Sequence, residues 1–281
     1  MGHSGTTLFP DGVALYKARA KSDRSRRTAS LDYDGIERNF SMAVALSVVV
    51  PVKDEAENIG PLAREIAAAV TGQGEAEIIF VDDGSTDGTA SVLHALKSEL
   101  PSLRVISHAH NVGQRRAIRT GVRAARGQII VTLDGDGQND PADIPKLLDE
   151  LKRGEASLAL VSGVRAKRRD TVSRRLASRL ANAIRQGLLH DGAVDSGCGL
   201  KAFKREAFLA LPYFDHLHRF LITMMIREGY KVQFVDVNHR PRLHGQSKYT
   251  NFNRMLVGIN DLLGVRWLQK RMRKLTDAKE L

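Results

Sequence analysis

Asp134 and Asp136 stand one residue apart in Asp134-Gly135-Asp136-Gly137-Gln138. The preceding run, Gln128-Ile129-Ile130-Val131-Thr132-Leu133, is apolar and rich in β-branched residues, the mark of a buried strand. Past a strand end, side chains no longer alternate between faces, and the two glycines let both acids turn to one point. Hard divalent cations take oxygen ligands, and Mg2+ commonly uses one or two protein carboxylates plus substrate phosphates. A cation held there would neutralise a departing diphosphate. An acidic surface turn would carry the same residues, so the motif needs company.

Two more strand ends supply it. Val81-Asp82-Asp83-Gly84-Ser85-Thr86-Asp87-Gly88-Thr89 ends one strand and opens a helix. A carboxylate there can accept hydrogen bonds from a base N–H or from ribose hydroxyls. Ser and Asp are also ordinary helix caps, and capping explains some of these residues. Pro51-Val52-Lys53-Asp54-Glu55-Ala56-Glu57-Asn58 closes the first strand. Acids thus meet at one edge of a chain whose net charge is +11. A basic run from Arg165 to Arg179 would suit a phosphate, because arginine presents a fork of donors; a solvated helix face explains most of its members equally well. A phosphate nucleophile is already anionic near neutral pH and needs no general base, whereas a hydroxyl would need one. Asp195 is the candidate base for the hydroxyl case.

The elements that must position these residues follow from periodicity. Strands are expected at Leu46–Val50, Glu77–Val81, Arg104–Ser107, Gln128–Leu133 and Leu158–Gly163. Helices are expected at Asn58–Val70, with Asn58 as cap and Pro61 in the first turn, and at Thr89–Glu99, Gly113–Arg126 and Pro141–Lys152. Alternating strands and amphipathic helices predict an α/β fold, its sheet mostly parallel and covered on both faces. Ligands in such sheets bind beyond the carboxyl ends of the strands, where the acids lie. After Gly163 the alternation loosens. Arg174–Leu188 reads as a basic helix. Gly199–Phe203 and Lys231–Val237, with the turns around them, read as a mixed-sheet extension.

Taken together, these segments resemble family 2 glycosyltransferases of the Rossmann-like GT-A fold, in the dolichol-phosphate mannosyltransferase-like branch. Asn111-Val112-Gly113-Gln114, Asp195-Ser196-Gly197-Cys198-Gly199-Leu200-Lys201-Ala202-Phe203 and His244-Gly245-Gln246-Ser247-Lys248-Tyr249 extend the resemblance, in consistent order, from Ser47 to Tyr249. It implies a GDP- or UDP-sugar donor, a polyprenyl phosphate acceptor and inversion at the anomeric carbon. Pro51, Val52 and Glu55 would meet the nucleotide, Asp82 and Asp83 the base, and Asp134 and Gly135 the donor diphosphate. Asp134, Asp136 and Gln138 would hold Mg2+ or Mn2+. Arg165, Arg174 and Ser178 would contact the acceptor phosphate, and Arg242 and Lys248 the donor diphosphate. Asp136, Asp195 and Arg165 are the candidates for the chemistry itself. The expected partners are the donor, the acceptor and a membrane surface or membrane protein, with no nucleic acid. The expected place is the cytoplasm, peripheral at the membrane's cytoplasmic face.

Composition sets the remaining bounds. With 281 residues and 42% hydrophobic content, the chain suits one good-sized globular domain, expected over 42–250. Residues 1–41 mix Gly, Ser, Thr and basic types without periodicity and read as a disordered tail, with Met42 the expected native start. Residues 251–281 read as a basic amphipathic segment. Its apolar positions Phe252, Met255, Leu256, Ile259, Leu262 and Leu263, with Trp267, suit either core packing or a membrane interface. Met255–Leu268 is too short and too polar to span a bilayer, which takes ~20 apolar residues. The lone Cys198 can form no internal disulfide and fits a reducing compartment as an ordinary thiol. The spacing of His216, His218, His239 and His244 matches no zinc pattern. Other readings are a family 2 transferase with a hydroxyl acceptor, a nucleotidyltransferase without its glycine-rich opening loop, a nucleic-acid-binding protein, and a silent scaffold. Only 5% aromatic residues and acids at the expected site count against nucleic acid.

Overall fold

The computed structural model describes residues 44–165, 185–241 and 251–271, with side chains in the last stretch from Gly258 onward. The expected tail over 1–41, and Arg174, Ser178, Arg242, His244 and Lys248, lie outside the described residues.

Seven described strands form one sheet. They are β1 (Leu46–Val52), β2 (Ala76–Asp82), β3 (Leu103–Ser107), β4 (Ile129–Thr132), β5 (Leu158–Arg165), β6 (Lys201–Lys204) and β7 (Lys231–Val237), in the order β3-β2-β1-β4-β6-β5-β7. β3, β2, β1 and β4 pair in parallel, β6 runs antiparallel to both its neighbours, and β5 pairs with β7 in parallel. The α/β class with a mixed, mostly parallel sheet is therefore present.

Both faces of the central strands are apolar. Val48, Val50, Val52, Ile78 and Phe80 point into one core, while Val49, Ile79 and Val81 point into the other. This is the two-residue alternation of a strand with no solvent face. Helix α1 (Ala56–Val70) covers the first core with Ile59, Leu62, Ala63 and Ile66, three or four residues apart. Helix α2 (Thr89–Glu99) and helix α4 (Ile144–Arg153) join it. Helix α3 (Gln114–Ala124) lies on the other face, so close that a Cβ on Gly121 would stand 2.4 Å from Val49 Cγ1. Helices α5 (Arg205–Ala210), α6 (Leu217–Arg227) and α7 (Asn251–Lys270) fill the remainder of that face.

Several boundaries differ from expectation. α1 begins two residues before Asn58, which is buried inside the helix and donates from Nδ2 to Glu55 Oε2 (2.6 Å) rather than capping. Pro61 consequently sits beyond the first turn. The helix expected from Pro141 opens as a 3-10 turn, Pro141–Asp143, capped by Asp140. α5 and α6 were expected as turns. The buried run Phe220–Met225 makes α6 apolar nearly all round, which hides helical periodicity. The basic helix expected to end at Leu188 is described over 185–189.

Candidate active site

β1 pairs with β2 on one side and β4 on the other, so the chain reverses direction across the sheet at β1. The carboxyl ends of β1, β2 and β4 therefore flank a switch point, where a cleft is expected. One of about 920 Å³ lies there, and Pro51, Glu55, Asp83, Asp134, Asp136 and Arg165 are on its walls.

The β1 and β2 ends are stitched together. Asp54, in the left-handed region at φ 53°, donates its N–H to Ser85 Oγ (2.9 Å) and accepts from Thr86 N at Oδ1 (2.8 Å). Lys53 Nζ donates to Gly84 O (2.6 Å), and Glu55 N to Thr89 Oγ1 (2.9 Å). Asp82 Oδ1 accepts from Ser85 N (2.9 Å) and closes the turn. Asp83 is buried and accepts from Val112 N (3.0 Å) and Gly113 N (2.7 Å), while His108 Nδ1 lies 2.9 Å from Oδ1. Asp83 thus shapes the 111–113 loop as well as lining the cleft; Asp82 lies behind the wall.

The β4 end carries the acid pair. Asp134 N donates to Asn139 Oδ1 (3.0 Å), and Gln138 N to Asp136 Oδ1 (3.1 Å), which folds 134–139 into a compact turn. The turn is pinned from outside by Arg240 N, which donates to Gln138 O (2.9 Å), and by a bridge between Asn139 and His239. Gln114, at the start of α3, donates from Nε2 to Asp134 Oδ1 (2.7 Å). Burial, then the neighbouring Asp136 charge, push the Asp134 carboxyl up to about 6. Two carboxylates crowded this way gain from a shared cation. Asp134 and Asp136, with Gln138 on the same turn, carry the hard oxygen donors that Mg2+ or Mn2+ takes. Among the described residues no three His, Cys, Asp or Glu side chains converge, so the remaining coordination would come from substrate phosphates or water.

The Ser196–Gly199 loop continues the cleft wall beside Asp134. Arg165 Nε and Nη2 each donate to Asp195, both at 2.7 Å, in a two-pronged pair. That geometry uses both carboxylate oxygens and fixes the guanidinium plane. Thr132 Oγ1 donates to Gly199 O (3.0 Å), so the loop leans on the end of β4. A Cβ on Gly199 would stand 2.4 Å from Asp134 Oδ2. Cys198 is buried beside it, and burial pushes its thiol pKa up. Sequence reading gave no separate role to Lys201, which is buried at the cleft floor. Its ammonium donates to Cys198 O, its pKa is depressed by burial, and its charge acts on both Asp134 and Asp195. Its signal was present, a lone cation inside the apolar run Leu200–Phe203. His216 Nδ1 lies 2.6 Å from Asp261 Oδ2, and His218 lines the cleft.

An α/β sheet with its strand ends around a nucleotide-sized cleft and an acid pair beside a fixed arginine defines a glycosyltransferase of the GT-A kind. The model of the family Glycosyl transferase family 2 matches residues 47–211, and the chain belongs to that family. It is 35% identical over 235 residues to the dodecaprenyl-phosphate galacturonate synthase of Rhizobium johnstonii, covering 81% of this chain and 68% of that protein. It is 32% identical over 214 residues to the undecaprenyl-phosphate 4-deoxy-4-formamido-L-arabinose transferase of Edwardsiella ictaluri, covering 75% and 65%. The chain therefore spans about two thirds of the length of these relatives. Its fold matches the glucosyl-3-phosphoglycerate synthase of Mycobacterium tuberculosis, solved with Mn2+, UDP-glucose and phosphoglyceric acid, at a TM-score of 0.60 and 21% identity, covering 82% of this chain and 81% of that one.

Proposed function

We propose that the protein is an inverting transferase moving a sugar from a GDP- or UDP-sugar to a polyprenyl phosphate at the cytoplasmic face of a membrane. The observation that carries this reading is that an acid pair and a fixed guanidinium line one cleft. Asp134 and Asp136, with Gln138 on the same turn, carry oxygen donors for a cation. The Arg165 guanidinium, locked by Asp195, is near enough for Asp134 and Arg165 to influence each other's charge. The names of the relatives, which hand sugars to dodecaprenyl and undecaprenyl phosphate, favour the same acceptor class.

In this reading Pro51, Val52, Glu55 and Asp83 receive the nucleoside, Asp82 supports them from behind the wall through its bonds to Ser85, and Asp134 and Gly135 face the diphosphate. Arg165 orients the acceptor phosphate, with Arg174 and Ser178 completing that site and Arg242 and Lys248 that of the donor. The acceptor oxygen bonds to the anomeric carbon as the bond to the diphosphate breaks, which inverts the centre. Bound Mg2+ or Mn2+ supplies the positive charge that the leaving diphosphate needs. No base is required, since the acceptor arrives ionised. This agrees with Asp195, both of whose oxygens are engaged with Arg165 and which serves as the residue that positions it.

The test is a donor screen. Protein with Mg2+ or Mn2+ is given GDP- and UDP-sugars with polyprenyl phosphate, and lipid products are read by mass spectrometry. A sugar-phosphate lipid that forms with metal and is lost in Asp136→Asn is the expected result. Nucleotide release with a different acceptor overturns the acceptor. Silence with every donor, and no metal-dependent nucleotide binding, overturns the reaction.

A further inference from the structure

The chain leaving β7 is fastened to the turn that carries the acid pair. Asn238 N donates to Asp143 Oδ2 (2.6 Å), and His239 forms an antiparallel bridge with Asn139. Arg240 N donates to Gln138 O (2.9 Å). The Arg240 side chain reaches further. Its guanidinium donates from Nη2 to Asp140 Oδ1 (2.7 Å) and from Nη1 to Glu65 Oε2 (2.6 Å). Asp140 ends the acidic turn and caps the 3-10 turn after it, accepting from Ala142 N at the same Oδ1 (3.0 Å). Glu65 belongs to α1, the helix that follows Glu55 of the cleft wall. One planar group thus joins three segments that are far apart in sequence.

Stability does not account for the arrangement. The Arg240 and Glu65 side chains are 39% and 43% exposed, and ion pairs so open to water contribute little. Position does account for it. The bonds from Gln138 N to Asp136 and from Asp134 N to Asn139 lie within the turn and set its shape. Contacts with other segments set its place. We propose that Arg240 is a positioning residue for the cation site, its guanidinium holding the turn that carries Asp136 and Gln138 against helix α1 from outside the cleft. Mg2+ keeps its oxygens at about 2.0–2.1 Å in a near-octahedral set, so a small drift of the turn costs affinity. Groups behind a metal's ligands tune its binding without touching it. Arginine suits the task because two nitrogens of one rigid plane meet two carboxylates, whereas lysine offers its charge from a single atom. The inference rests on the cation site of the preceding reading and adds the residue that stands behind it.

The test reads Mn2+ binding to the full-length protein, from loss of the free-ion electron paramagnetic resonance signal, with and without GDP or UDP. Arg240→Ala should raise the Mn2+ dissociation constant roughly tenfold, while the melting temperature of the metal-free protein changes little. Glu65→Gln, on another element and away from the cleft wall, should shift the constant the same way by a smaller factor. Arg240→Lys should recover the melting temperature but only part of the Mn2+ affinity. An unchanged dissociation constant in Arg240→Ala or in Glu65→Gln overturns the proposal. So does full recovery of affinity in Arg240→Lys, which would mean that charge alone suffices. Wild-type protein that binds no Mn2+, with or without nucleotide, overturns the cation site itself, so the two readings fail separately.

Discussion

At the scale of single residues, the site depends on groups held rather than merely present. Gly199 is the sharpest case, because its missing side chain is what admits the Asp134 carboxylate. Gly199→Ala should displace that carboxylate and weaken Mn2+ binding by roughly 10–100-fold, read by titration, while circular dichroism stays close to wild type. Arg165 and Asp195 act as a unit. Arg165→Ala, Asp195→Ala and the double variant should lose similar transfer activity, with a coupling of about 1–3 kcal/mol from the double-mutant cycle. Additive losses would give Asp195 a separate chemical role. The acids of this site were legible in the sequence because three apolar strands each end in carboxylates, and their agreement outweighs any one motif. The two-pronged pair was not, because Arg165 and Asp195 are thirty residues apart and only the sheet joins them.

At the scale of elements, the edge opposite the cleft is fastened by a buried polar knot. Glu77 in β2 accepts from Ser47 Oγ in β1 (2.7 Å), from Arg126 N after α3 (2.6 Å), and from Arg104 in β3. Ser47 and Glu77 are direct partners in the strand register, so the knot fixes that register at its start. Burial pushes the Glu77 carboxyl up, but the hydrogen bonds from Ser47, Arg126 and Arg104 outweigh it, and the folded pKa lies below the ordinary value. A depressed carboxylate pKa stabilises the fold above the unfolded pKa, and that contribution is lost as pH falls through the folded one. Glu77→Gln should cost about 1–3 kcal/mol at neutral pH, read by urea unfolding. The gap from wild type should close as the pH drops through the carboxylate range. Element positions were mostly readable, since continuous apolar runs mark β1 and β2, alternation marks β7, and a three-to-four spacing marks α1 and α2. α6 escaped because a helix buried nearly all round shows no period.

At the scale of the whole molecule, ligands that bind the assembled cleft should stabilise the folded state by mass action. Mn2+ with GDP or UDP at about a hundred times its dissociation constant contributes ~2.7 kcal/mol. For a chain of this size that corresponds to a rise in Tm of roughly 5–10 °C. Mn2+ alone or nucleotide alone should give less, and Asp136→Asn should abolish the joint effect. Equal shifts in the variant would place the cation elsewhere.

The order of motifs along one chain was enough to determine the α/β class, the family resemblance and the acid-bearing strand ends, because these depend on local periodicity and short spacings. Tertiary structure alone decided what the acids touch. It turned Asp82 toward Ser85, gave Asp83 a loop to hold, brought the Lys201 charge to bear on Asp134 and closed Asp195 onto Arg165. It also divided the described apolar residues of α7, from Ile259 onward, between core and surface, which composition leaves equal. Each of these outcomes rests on contacts between distant segments, and such contacts exist only once the sheet has brought its strands side by side.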